Sequence, residues 1–352
     1  DLFGAFSTHP NIEIRFYNPI RLTKLWKLNY RMHDKYLIAD DTAYILGGRN
    51  SNNLFLGAYR DTYNIDRDLY VLERTEKNAS DVMQKKERNS LQDIKAYFEK
   101  IWVQPDQKIF RKKETEKTKE GLALLREHYK ELQTAYPEAF SETETLLTQD
   151  LIRVDSIQFL HNPLYADEKV PVVYQRICQE MEQGETILIQ TPYIICDKGM
   201  YQDLSELCRA GKQIEIITNA VESGANPWGC TDYLNERKSI LKTGAGVYAC
   251  MAGQSLHTKT VLIDDETSIV GSYNLDLRST YLDTELMLLV KSKELNKQLR
   301  DQAAVYQEKS AYEKAGKPSR TGSLYEKKEM SGMQKVIYSI LRILIRPIRE
   351  VL

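Results

Sequence analysis

The chain has 352 residues, 42% of them hydrophobic, and carries 49 Lys and Arg against 50 Asp and Glu for a net charge of -1. That length has room for two domains of ordinary size, each with its own core. The even balance of charge excludes a strong overall field toward nucleic acid or an anionic membrane, so any such attraction has to be local. The five cysteines, Cys178, Cys196, Cys208, Cys230 and Cys250, are odd in number and show no C-x-x-C spacing. They read as buried thiols, not as a disulfide framework or a zinc site. The first residue is Asp1 and no signal peptide or long apolar run occurs, which reads as a processed or N-terminally incomplete chain.

In chain order, "IEIRFYN" is one clear strand, followed by "MHDKYLIADDTAYILGGRN" at residues 32–50. The apolar strand signal "IDRDLYVLE" comes next, and then a charge-dense stretch, 78–149, in which Leu122, Leu125, Tyr129 and Leu132 recur at helical spacing. That recurrence predicts a helical connector packed on one face. The second half reads as an α/β unit. Strand-like "SIQFLHN", "TILIQTPYI", "IEIITNA" and "GVYAC" alternate with helical segments near 170–183, 198–210 and 229–243. The stretch "SLHTKTVLIDDETSIVGSYN" at 255–274 and the strand "ELMLLVKS" close the unit. Lone His9, His128 and His161 carry no catalytic signal, and Tyr193 in "TPY" fits a pocket mouth as well as a core.

The two polar stretches share one layout. His33, Lys35, Asp40, Gly47 and Asn50 match His257, Lys259, Asp264, Gly271 and Asn274 in the pattern H-x-K-x4-D-x6-G-x-x-N. One chance occurrence in such a chain is on the order of one in ten thousand, which removes coincidence as an explanation. Each copy reads as a hairpin. With two-residue loops at 265–266 and 41–42, His257 stands opposite Asn274 and Lys259 opposite Ser272, while His33 stands opposite Asn50 and Lys35 opposite Gly48. Asp40 and Asp264 then point to the other face or cap the turn, a structural role within the motif.

A face of imidazole, ammonium and amide binds a phosphate, and two such faces supply two imidazoles. Phosphodiester cleavage needs a nucleophile and an acid for the leaving oxygen. Lys35, Asn50, Lys259, Ser272 and Asn274 are the candidate phosphate-binding side chains. No metal or other cofactor is required by this chemistry. An imidazole also needs a partner that fixes its tautomer. Asp68 and Glu285, each at the start of an apolar strand downstream of its motif, are the candidate orienting carboxylates.

The paired motifs resemble those of the phospholipase D superfamily, and "HPNIEIRFYNPI", "RMHDKYLIADDTAYILGGRN" and "QTPYIICDKGM" are most similar to bacterial cardiolipin synthases. The resemblance covers nearly the whole chain. Gly48 stands where the superfamily more often has serine, whereas Ser272 keeps the usual residue. The resemblance implies a catalytic set of His33, Lys35, Asp40, His257, Lys259 and Asp264, with a phosphohistidine on one histidine and acid/base work by the other. The expected order is His33 as nucleophile and His257 as acid/base. It also implies two phospholipase D-like α/β domains related by pseudo-twofold duplication, each a mixed sheet flanked by helices. Only 32 residues precede the first motif, so roughly 70 to 100 residues of the first domain are expected to be absent.

The expected divisions are a partial first domain at 1–104, a connector at 105–150, a second domain at 151–313, a polar linker at 314–332 and a basic amphipathic helix at 333–352. In that tail Lys335, Arg342, Arg346 and Arg349 fall on one helical stripe, and apolar residues occupy the rest. Such a helix suits an anionic membrane surface, and docking on the domain is the alternative. The functional expectation is a phosphatidyltransferase that joins two phosphatidylglycerol molecules with release of glycerol, at a bacterial membrane. The alternatives are a phospholipase giving phosphatidic acid, a nuclease of the same superfamily and a non-enzymatic lipid-binding scaffold. Nucleic acid is not expected as a partner.

Overall fold

The computed structural model describes residues 2–56, 62–73, 89–105, 107–141, 143–165, 168–223 and 226–352. Its elements begin with α1 (Leu2–Phe6), β1 (Ile14–Phe16), the hairpin β2 (Tyr36–Ala39) and β3 (Ala43–Gly47), β4 (Asn64–Ile65) and β5 (Asp68–Leu72). Next come α2 (Ser90–Trp102), β6 (Lys108–Phe110), α3 (Glu116–Ala135), α4 (Glu138–Ser141), α5 (Thr143–Thr148) and β7 (Ser156–His161). An alternating stretch follows, with α6 (Val172–Gln183), β8 (Thr186–Gln190), α7 (Lys198–Arg209), β9 (Gln213–Asn219), α8 (Pro227–Lys242) and β10 (Gly246–Cys250). The last part holds β11 (Ser255–Leu256), the hairpin β12 (Thr260–Ile263) and β13 (Thr267–Gly271), α9 (Leu277–Tyr281) and β14 (Leu286–Lys291). It ends with α10 (Lys293–Glu308), β15 (Ser310–Glu313), β16 (Arg320–Thr321) and α11 (Gly332–Leu344).

The chain divides into two compact units, residues 1–28 with 98–153, and residues 29–97 with 154–352. These bounds replace the expected ones. The first motif does not belong with residues 1–28 but shares a unit with the second motif. In the smaller unit β1 pairs antiparallel with β6, and Phe3, Phe16 and Phe110 stack together. Arg15 lies over the Trp102 ring and donates to its carbonyl at 2.7 Å. α1 packs on α3 where Gly121 leaves room for Ala5. None of the α3 side chains is buried, so the expected packed face is largely exposed. The start of the charge-dense stretch, through residue 88, lies outside the described residues.

The larger unit is built on a nine-stranded mixed sheet in the order β16-β15-β10-β9-β8-β12-β13-β14-β7. Its central strands β8, β9 and β10 run parallel, which is why "TILIQ" and "IEIITN" are apolar on both faces. One face carries Ile187, Ile189, Ile214, Ile216, Val261 and Met287 against α6, α7 and α8. Asp197 caps α7 and Asn226 caps α8, accepting backbone N–H groups at their first turns, and Gly244 at φ +92 ends α8 in a conformation suited to glycine. On the other face β13 and β14 meet β3 and β5 of a three-stranded sheet in the order β2-β3-β5. The fold is thus mixed α/β, with the two motif hairpins stacked on facing sheets.

Both hairpins sit one residue out of the expected register. Ile263 pairs with Thr267 and Ala39 with Ala43, so each loop has three residues. The cause is local: Asp264 at φ +47 and Asp40 at φ +50 adopt the left-handed conformation and leave the ladder. Lys259 and Lys35 therefore face Gly271 and Gly47, whose N–H groups donate to their carbonyls. Residues 314–332 are not merely a linker, because β16 pairs with β15 there.

The tail also departs from expectation. Tyr338 and Ile345 of the C-terminal segment are buried, and Arg349 donates to the Asp232 carboxylate at 2.7 and 3.1 Å. Arg342 likewise donates to Asn235 of α8. Two cations of the supposed lipid-facing stripe thus face protein, because the buried Asp232 carboxylate needs a counter-charge. The outward side is apolar, with Met333, Val336, Ile337, Ile340, Ile343 and Leu344 exposed. Among the described residues no helix is long and apolar enough to cross a membrane. Of the cysteines, Cys196, Cys230 and Cys250 are buried, whereas Cys178 and Cys208 are only half-buried.

Candidate active site

Two short parallel pairings assemble the site. Leu256 lies beside Ile65, and Met32 bridges to Thr284. The next residue along each chain segment is then also side by side. His257 meets Asp66, with Nδ1 at 2.6 Å from Oδ2, and His33 meets Glu285, with Nδ1 at 2.9 Å from Oε1. Each histidine thus takes its carboxylate from the segment that follows the other motif. Backbone contacts hold both pairings, with His257 N–H donating to the Ile65 carbonyl at 2.7 Å and His33 N–H to the Thr284 hydroxyl at 3.2 Å.

The carboxylate on His257 is Asp66, which corrects the expectation of Asp68. Asp68 is held by Arg49, whose Nε donates to it at 2.5 Å. The slip has a physical cause. Gly48 N–H donates to the Arg67 carbonyl as Ser272 N–H does to that of Leu286, so Arg67 occupies the slot of a buried leucine. Arg67 is 8% exposed, and its guanidinium donates to Gln190 at 2.7 Å, Thr260 at 2.6 Å and Gln302 at 3.2 Å. An apolar-run alignment of the two strands passes over that arginine and lands on the wrong acid.

The two carboxylates are supported differently. Glu285 accepts from the Ser279 hydroxyl at 2.5 Å and from the Ser272 hydroxyl. Ser272 is therefore spent behind the carboxylate and not on a phosphate, a second correction. Asp66 accepts the Arg67 N–H at 2.9 Å and lies 3.7 Å from Lys259 Nζ. A side chain at Gly48 has no room, since a Cβ there would stand 2.5 Å from Asp66 Oδ1 and 2.9 Å from Lys259 Cδ. That crowding accounts for glycine where Ser272 stands in the other copy.

Burial acts to raise both acids, but hydrogen bonds and charge outweigh it. Asp66 stays below the usual range through His257 and Lys259, and Glu285 through His33, Lys35 and Ser272. Burial and the neighbouring Lys259 charge push His257 down to about 4 against the pull of Asp66. Burial brings Lys259 down to about 7, opposed by Asp66. Lys35 is also lowered by burial, with Glu285, Asp34 and Asp66 opposing. The mutual electrostatics of His33, His257, Lys35 and Lys259 place all four around one centre.

Lys35 Nζ donates to the His33 carbonyl at 2.5 Å, and Lys259 Nζ to the His257 carbonyl. Asn274 Nδ2 donates to the Tyr193 hydroxyl at 3.3 Å and its Oδ1 is buried without a partner. Asn50 is half-buried in the loop after β3. Asp40 and Asp264 sit at the hairpin turns, outside this centre. Asp264 accepts the Glu185 and Thr186 N–H groups at 3.0 and 2.8 Å, a structural role. Asp34, Ser279, Arg67 and Lys169 carried no motif signal. Asp34, raised to about 6 by burial, accepts from Tyr97 at 2.5 Å. Lys169 is lowered to about 8 by burial and feels the charges of Asp34, Asp283 and Glu285. Among the described residues no group of three His, Cys, Asp or Glu side chains could hold a metal ion.

Residues 177–305 match the family model described as "Cardiolipin synthase, PLD-like domain". Cardiolipin synthase C of Escherichia coli (strain K12) is 24% identical over 331 residues, covering 84% of this chain and 67% of that protein. An uncharacterized protein of Helicobacter pylori (strain ATCC 700392 / 26695) is 24% identical over 334 residues, and the chain spans only 62% of its length. Among solved structures, the phosphatidylserine synthase of Haemophilus influenzae Rd KW20 shares the fold with a TM-score of 0.55 and 17% identity, over 91% of this chain and 71% of that one. Residues 177–305 thus match a phospholipase D-like domain, and along most of its length the chain is similar to cardiolipin synthase C.

Proposed function

We propose that this protein is a membrane-associated phosphatidyltransferase acting through a phosphohistidine. The observation that carries the reading is the pair of crossed histidine–carboxylate contacts, His33 with Glu285 and His257 with Asp66. Each carboxylate accepts a hydrogen bond from Nδ1–H, which keeps the proton there and leaves Nε2 for chemistry. His33 Nε2 attacks the phosphorus of one phosphatidylglycerol. The bond from phosphorus to the glycerol oxygen breaks, and the leaving alkoxide takes a proton from His257. The hydroxyl of a second phosphatidylglycerol then gives its proton to His257 and attacks, the nitrogen–phosphorus bond breaks, and cardiolipin leaves. One phosphodiester replaces another, so no cofactor is consumed.

Lys35 and Lys259 meet the charge on the phosphoryl oxygens. In the empty site burial and the charge of Lys259 keep His257 neutral; the same phosphodiester offsets the Lys259 charge and so lets His257 carry the proton. Turning the Asn274 amide would give its Oδ1 to the Tyr193 hydroxyl and free Nδ2 for a phosphoryl oxygen; Asn50 would act from the first copy. The exposed apolar side of α11 supplies a surface that lies in the headgroup region of a bacterial membrane.

The test uses phosphatidylglycerol vesicles without added metal and separates the products by mass. Wild type is expected to form cardiolipin and free glycerol, with His33→Ala and His257→Ala slowed by about 10³-fold or more. Phosphatidic acid alone would make the protein a hydrolase with the same histidines. Undiminished turnover in both variants would remove the catalytic reading, leaving a scaffold, and cleavage of oligonucleotide alone would make it a nuclease.

A further inference from the structure

The fifth residue after the motif asparagine is Ser279 in the second copy and Phe55 in the first. Ser279, in α9, donates to Glu285 Oε1 at 2.5 Å, the oxygen that meets His33 Nδ1 at 2.9 Å. Phe55 has no hydroxyl to offer Asp66. Its ring lies instead against the imidazole of His257, with centroids 4.8 Å apart and planes inclined at 75°. The side chain of His257 is the less exposed of the two histidines, 15% against 25% for His33.

The placement of this ring is built into the surrounding chain. Phe55 is buried, and its N–H donates to the Asn52 carbonyl at 2.9 Å. Arg49 Nη1 donates to the Phe55 carbonyl at 2.6 Å, and Arg49 Nη2 to the Asp66 carbonyl at 3.0 Å. One guanidinium thus ties the residue that holds His257 Nδ1 to the residue that packs on its ring. The χ2 torsion of a histidine is broad, so a hydrogen bond at Nδ1 leaves the ring free to swing about that atom. An aromatic wall at a defined angle narrows the swing and fixes the direction of Nε2. In the proposed reaction that nitrogen serves first the leaving glycerol oxygen and then the attacking hydroxyl, so its aim governs both proton transfers.

We propose that Phe55 is a positioning residue for proton transfer, holding the His257 ring so that Nε2 is aimed at the leaving oxygen. The inference rests on the phosphohistidine reading and extends it to a residue outside the repeated pattern. At this one place the two copies use different chemistry: a serine steadies the carboxylate behind His33, and a phenylalanine steadies the ring of His257.

The test compares two leaving groups in detergent micelles under single-turnover conditions. Phosphatidylglycerol loses an alkoxide that must take a proton as its bond to phosphorus breaks, whereas phosphatidyl-p-nitrophenol loses a phenolate that needs none. The quantity read is the ratio of p-nitrophenol release to glycerol release. It is expected to rise about tenfold in Phe55→Leu, to rise further in His257→Ala, and to keep its wild-type value in Phe55→Tyr, which retains the ring. A general structural defect slows both releases together, so an unchanged ratio in Phe55→Leu overturns the proposal whether or not activity falls. A ratio in Phe55→Tyr shifted as far as in Phe55→Leu also overturns it. Phe55→Met, closer in volume to the ring, repeats the measurement where the leucine variant does not fold. Equal p-nitrophenol release by wild type and His33→Ala would remove the phosphohistidine reading and the proposal with it. A ratio that moves in His257→Ala but not in Phe55→Leu removes the proposal alone.

Discussion

The two halves of the site share a spacing and differ in their support. At His33 the partner Glu285 is clamped by two hydroxyls, from Ser272 and Ser279. At His257 the partner Asp66 rests on a backbone N–H and stands near the Lys259 ammonium. A lysine charge favours both carboxylates, but Glu285 rests on two hydroxyls, whereas Asp66 has one backbone N–H and an ammonium at 3.7 Å. A repeated motif therefore does not imply two identically built supports; at the second, burial and the Lys259 charge lower the basicity of His257.

The most severe way to break the comparison is to neutralise each carboxylate. Glu285→Gln and Asp66→Asn are each expected to slow phosphatidyl transfer on the order of 10²- to 10⁴-fold, the cost of a wrong imidazole tautomer. Asp68→Asn, which loses only the Arg49 pair, is expected to cost about 1 kcal/mol of stability with turnover close to wild type. Product mass spectrometry of the three variants checks the ranking, and a loss in Asp68→Asn as deep as in Asp66→Asn would restore the assignment drawn from the strand alignment.

Exchanging the supports is a smaller perturbation. Gly48→Ser overpacks the space beside Asp66 and is expected to destabilise by about 1–3 kcal/mol. Ser272→Ala removes one buried donor from Glu285, at about 1–3 kcal/mol. Urea unfolding measures both, and a Gly48→Ser protein as stable as wild type would mean that Asp66 and Lys259 readily move apart.

The mildest test is titration. His257 falls from 6.5 to about 4 on folding. Between those values the unfolded chain binds the proton that the folded chain refuses, so this group makes stability rise with pH across that window and lowers it as pH falls. Lys259, lowered from 10.5 to about 7, acts in the same sense between those two values. Wild type is therefore expected to gain stability more steeply than His257→Gln from pH 4 to 6.5, as read from urea midpoints. Parallel slopes would show that Asp66 keeps His257 protonated.

Much of this was legible along the chain. The strands of the second half fall where alternation put them, and the H-x-K spacing led to the four side chains now found around one centre. What escaped notice was set by contacts remote in sequence. The hairpin register turned on the left-handed Asp40 and Asp264, and an aspartate in a turn gives no count of loop residues by itself. Asp66 was hidden because Arg67 fills an apolar slot, satisfied by Gln190, Thr260 and Gln302 from three other elements. The tail looked like a cationic face because nothing near it in sequence announces Asp232 as the partner of Arg349.

The crossed carboxylates also set when this chemistry becomes available during synthesis. The two contacts span 252 and 191 residues. Contacts of that separation close late, because the intervening loop must first be organised. A nascent chain that carries His33 cannot give it Glu285 until a further 252 residues have been made. Under the proposed mechanism the emerging polypeptide is silent toward phosphodiesters until that contact closes.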